Sequence, residues 1–169
     1  LVPDVPASYH RLLGGGRVAI GSGAARTDWT CHVGYGHAPE HIALHCERAG
    51  VLISGDMVLP RISTNVSVVD VEPEADPLTL YLDSIERMRA IDAGVLVLPS
   101  HGLPFKGLHT RIGQLQAHHA ERFTESLEAC AARPLSAFEL VPVLFTRALD
   151  LHQMTFAIGE SIAHLHALW

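Results

Sequence analysis

The chain has 169 residues, 48% hydrophobic and 18% charged, with a formal net charge of −6. That length suffices for one compact domain with a real core. The composition is that of a soluble globular protein rather than a disordered or fibrous one. The acidic balance, with Lys106 as the only lysine, argues against a surface that tracks nucleic-acid phosphates.

No apolar run approaches the ~20 residues needed to cross a bilayer. Leu1-Val2-Pro3-Asp4 has neither the basic start nor the apolar stretch of a secretory signal. No Met opens the chain, as expected of a processed, proteolysed or deliberately cut protein. Cys31, Cys46 and Cys130 match no zinc or disulfide spacing, and buried free thiols in a reducing cytoplasm are the expectation.

The first half reads as short strands. Arg17–Ile20 follows the Gly14-Gly15-Gly16 turn, and Trp29–Val33 is a second strand. Ile42–Cys46 alternates as a half-buried strand does, Glu47–Gly50 reads as a hairpin turn, and Val51–Ser54 is the return strand. A helix then begins at Asp76, with Pro77 at its first position and Gly94 as its stop. Its apolar stripe is Leu78, Tyr81, Leu82, Ile85, Met88 and Ile91.

Val95–Leu98 reads as a buried strand. A long helix follows over 110–132, with Ile112, Leu115, His119, Phe123, Leu127 and Cys130 on one face. Ser136 and Glu139 form a capping box before a helix over 138–149, and a last helix spans 152–168. The chain divides on this reading into residues 1–132 and a small helical appendage over 133–169. Trp29 and Tyr81 are expected in the core.

Twelve histidines is a high count, so position has to single out those that matter. Three phrases each end a strand with a metal-capable side chain: Gly36-His37-Ala38-Pro39-Glu40-His41, Ser54-Gly55-Asp56 and Pro99-Ser100-His101-Gly102. In α/β architectures that edge is where ligand sites collect. Imidazole suits zinc, and a carboxylate can bridge two cations. His119 reads as a satisfied core histidine and His118 as solvated. His109, His152, His164 and His166 read as surface or capping residues.

In order and spacing, the three phrases resemble the later motifs of metallo-β-lactamase-fold hydrolases. The segments Val58–Ile62 and Leu98–Leu103 are similar to one branch, the hydroxyacylglutathione-hydrolase-like group with a winged-helix-like C-terminal extension. The resemblance runs from about Tyr9 to the C-terminus. It implies an α/β fold, half of an αββα sandwich followed by a small helical extension.

It also implies two divalent ions, zinc by preference. His37 would ligate the first ion, His101 the second, and Asp56 would bridge both as the catalytic carboxylate. His41 would be a supporting residue behind the ligands, and Arg61 and Asn65 could face substrate. The implied reaction is attack of a metal-bound hydroxide on a thioester or ester carbonyl.

Glu40 stands where many relatives of this kind carry Gly. A larger departure is the absence of the family's H-x-H-x-D-H signature; His164-Leu165-His166 has its first spacing but no following Asp-His. The expectation is therefore that the N-terminal half of the fold is missing. Each ion would keep only two protein ligands, fewer than the ~3 of a catalytic zinc site. The chain alone should bind metal weakly or not at all and be inactive. An exposed apolar sheet face should await the missing half or a second copy. Two alternatives stay open: a nuclease of the same fold, and a catalytically incomplete fragment or binding module.

Overall fold

A computed structural model describes residues 6–169. The reading of Leu1–Asp4 lies outside the described residues. Five strands form one sheet in the order β1 (Arg17–Ile20), β2 (Thr27–Gly34), β3 (His41–Cys46), β4 (Val51–Gly55) and β5 (Leu96–Pro99). Neighbours pair antiparallel except β4 and β5, which are parallel. A parallel pair needs a crossover. Here it is α1 (Pro77–Arg87), capped as expected by the Asp76 carboxylate accepting from the Thr79 N–H.

Two further consequences of local chemistry hold. Gly50 takes the left-handed conformation that closes the β3–β4 turn (φ 61°). The capping box of Ser136 and Glu139 opens α3 (Ala137–Leu144). α2 spans Leu108–Ala132 and α4 spans Leu151–Leu168. No described helix is long and apolar enough to cross a membrane.

The sheet has two unlike faces, because register partners share a face. One carries Ala43, Leu52 and Val97 against Leu78, Tyr81 and Ile85 of α1 and Leu108, Ile112 and Leu115 of α2, all buried. Ala163 of α4 completes that core. Each such fully buried Leu or Ile contributes about 1.5–3 kcal/mol. The other face lines up Cys31, Leu44, Ile53 and Leu98 across four strands. Among the described residues no helix packs there as on the first face: Cys31 is buried, but Leu44 and Leu98 are half-buried and Ile53 is 37% exposed.

Several expectations need correction. α1 does not run to Gly94; it tightens into a 3-10 turn at Met88–Ala90, which still buries Met88 and Ile91. α3 stops at Leu144 rather than 149, two residues after Pro142, which breaks the hydrogen-bond ladder. Leu127 is exposed and Cys130 half-buried, because the end of α2 extends beyond the core. His118 is half-buried rather than solvated, and Trp29 is only half-buried. His164 is fully buried rather than at the surface. Only helices follow Ala132 among the described residues.

Candidate metal centre

Strand direction explains why the three phrases meet. β2, β4 and β5 run the same way, so their C-terminal ends share one edge of the sheet. His37, Asp56 and His101 follow those ends, and His41 opens the antiparallel β3 at the same edge. Gly36 and Gly55 make the approach possible. Each has a positive φ (94° and 56°), and an added Cβ would collide with α1 at Gly36 and with the His41 ring at Gly55.

Asp56 sits between the two histidines. Its Oδ2 lies 3.6 Å from His37 Nε2, and its Oδ1 lies 3.5 Å from His101 Nε2. These separations are long for hydrogen bonds. They are close to the ~3.4 Å edge between nitrogen and oxygen donors placed ~2.1 Å from one tetrahedral ion. The donor set, two imidazoles and one carboxylate, therefore fits a divalent metal. Each such gap offers only two donors, and no group of three or more metal-capable side chains holds one ion among the described residues.

The surroundings orient these groups. The His37 Nδ1–H donates to the Asn65 carbonyl at 2.9 Å, which leaves Nε2 with its lone pair toward Asp56. His41 Nε2 accepts the Asp56 backbone N–H at 3.2 Å. Burial, and then the neighbouring His37, push the His41 pKa down, so it stays a neutral acceptor. Thr64 donates to the Asp56 carbonyl at 2.5 Å. Tyr81, its phenol pushed up to about 12 by burial, donates to the Met57 carbonyl at 3.1 Å.

Asn65 meets the site through its carbonyl, while its side chain accepts from Ser67 at 3.0 Å. Arg61 is exposed and lines a cavity with His101. Sequence reasoning did not single out Arg111, which donates to the carbonyls of Leu59 (2.6 Å) and Ile62 (2.9 Å) and so ties down the loop after Asp56. A signal existed. Arg111 lies in the first turn of α2, where a cation opposes the helix dipole, so some tertiary partner has to justify it.

Residues 19–101 match the metallo-beta-lactamase superfamily, and residues 123–169 match the metallo-beta-lactamase-like C-terminal domain. The chain is 58% identical to a beta-lactamase domain protein from Burkholderia ambifaria, with a TM-score of 0.92, covering 98% of this chain and 48% of that one. It is 31% identical to the metallo-beta-lactamase family protein TTHA1429 from Thermus thermophilus, with a TM-score of 0.80, covering 96% and 50%. It is also 26% identical over 137 residues to the probable metallo-hydrolase YqjP of Bacillus subtilis (strain 168), covering 79% of this chain and 42% of that protein. The chain thus spans half or less of the length of these relatives.

Proposed function

We propose that the chain, whose residues 19–101 and 123–169 match metallo-beta-lactamase superfamily models, belongs to that superfamily and forms one wall of a two-metal hydrolase centre. His37 and Asp56 hold one divalent ion, and Asp56 and His101 hold the other. The supporting observation is the Asp56 carboxylate, with one oxygen turned to each imidazole at 3.6 and 3.5 Å. Zinc suits this donor set best.

Ions held there supply Lewis acidity, which acidifies water near neutral pH and polarises a carbonyl. The chain's own residues prepare that chemistry. Asn65 fixes the His37 tautomer, and His41 and Thr64 hold the Asp56 backbone. No Ser or Cys nucleophile is required, and Cys31 and Cys46 are buried. The substrate class is an activated carbonyl, a thioester or ester, on the strength of the motif resemblance.

With two donors per ion, the isolated chain holds metal weakly and does not turn over. The remaining ligands come from a preceding half bearing H-x-H-x-D-H, and that half, or a second copy of this chain, covers the face of Leu44, Ile53 and Leu98. A second reading, a binding module without catalysis, is favoured by the absence of a three-donor cluster among the described residues.

Metal content and thioester hydrolysis, measured on this chain and on a longer protein that supplies the H-x-H-x-D-H segment, separate the readings. The hydrolase reading expects about two ions per protein and turnover only in the longer form. Stoichiometric metal and turnover in the isolated chain would refute the half-centre. A longer form that binds no metal would leave the binding module.

A further inference from the structure

The cavity beside His101 has a built character that the metal centre does not explain. It is an open cleft of about 510 Å³ between the loop after Asp56 and the loop after His101. That volume is within the ~300–1,000 Å³ of small-molecule sites. Pro60, Ile62, Leu103 and Phe105 supply apolar wall, His101 forms one side, and Arg61 is the cation.

Ile62 is 60% exposed and Leu103 79% exposed, a paired display of large apolar side chains beside a polar centre. Arg61 enters no ion pair among the described residues.

Both loops are anchored. Arg111 holds the carbonyls of Leu59 and Ile62. Phe105 exchanges backbone hydrogen bonds with Val97 of β5 at 2.8 and 3.0 Å. Gly102, at φ 87°, packs so closely on Pro60 that a Cβ would lie 2.7 Å from its ring. A cavity whose loop backbones are already held loses less ordering entropy when filled.

We propose that this cavity is a subsite for an apolar chain with an anionic end, the chain lying over Ile62, Leu103 and Phe105 and the anion paired with Arg61. Placed there, the chain is the acyl or leaving-group arm of a substrate whose carbonyl sits by His101. That placement rests on the hydrolase reading, whereas binding in the cavity does not.

The test uses the 169-residue chain without metal and titrates butanoate, hexanoate and octanoate while backbone amide shifts are followed by NMR. Shifts are expected at Arg61, Ile62, Gly102, Leu103 and Phe105. The dissociation constant should fall about two- to fourfold for each added methylene. In the double variant Ile62→Ser/Leu103→Ser that dependence should flatten, and Arg61→Gln should weaken all three acids about equally.

No chain-length dependence, a slope unchanged in the double variant, or shifts centred on a separate cavity lined by Phe138 and Phe145 would overturn the subsite. Octanoate bound as expected, with no thioester or ester turnover in the longer protein, would sink the hydrolase reading and keep the subsite. Turnover in the longer protein without chain-dependent binding would do the reverse.

Discussion

Two groups of histidines sit in this molecule in opposite environments. At the sheet edge, His37 and His101 each turn Nε2 toward a carboxylate oxygen of Asp56, and both are partly open to solvent. In the helical layer, His119 and His164 face each other at 3.3 Å, fully buried and with no carboxylate between them.

The second pair has a closed proton inventory. The His164 Nδ1–H donates to the Glu160 carbonyl at 2.8 Å, so His164 Nε2 is an acceptor for the His119 Nδ1–H. His119 Nε2 is left without a partner among the described residues. Burial, then the facing His164, push His119 down to about 3. One residue type thus serves two ends. On the proposed reading, a neighbouring carboxylate and open space leave an imidazole free to take a cation, while burial against a second imidazole keeps it neutral and structural.

Substitutions and a titration put this contrast to the test. In the longer, metal-loaded protein, Asp56→Asn should lower hydrolysis by on the order of a hundred- to a thousandfold, while thermal stability of the metal-free form stays near wild type. Equal loss of fold and activity would place Asp56 in the structural group instead.

His119→Ala should do the opposite. It should cost about 2–4 kcal/mol in urea unfolding, with amide shifts near Asp56 unchanged. His41→Ala should weaken metal affinity of the longer protein about 10- to 100-fold, because it frees the Asp56 backbone. An unchanged affinity would mean that His41 only fills space.

The smallest effect is a pH dependence. His119 and His164 are both lowered by burial, so they take up protons on unfolding below the ordinary histidine value of about 6.5. Their contribution is complete above that pH and is lost as pH falls toward about 3. Glu160 runs the other way. Burial raises it to about 7, so its contribution is complete below the ordinary carboxylate range and fades as pH rises toward 7.

Unfolding free energies of Glu160→Gln from urea melts should therefore fall more steeply than wild type between about pH 6.5 and 4.5, by about 1–2 kcal/mol across the window. Identical slopes would remove Glu160 from the account.

Much of the secondary structure was legible because it rests on near neighbours in the chain. Asp76 before Pro77, Ser136 three residues before Glu139, and the alternation of Ile42–Cys46 all act within a turn or a pleat, and the structure keeps each. The exceptions also have local causes of competing strength. Pro142 ends α3 early, and the turn after Arg87 tightens before Gly94 is reached.

The three phrases were legible for a related reason. Each lies just past the end of a strand, and parallel running of β2, β4 and β5 brings those ends to one edge.

Contacts between distant segments were a different matter. Spacings of a few residues fix which elements form and how they are capped, and they mark His37, Asp56 and His101 as the residues to watch. Packing between segments far apart in the chain sets the rest. Through it Asn65 meets His37 by its carbonyl, Arg111 pins a loop 49 and 52 residues away, and His164 is buried against His119. A helical stripe tells which side of a helix is apolar, but the partner a buried polar atom finds depends on the other chain segments packed beside it.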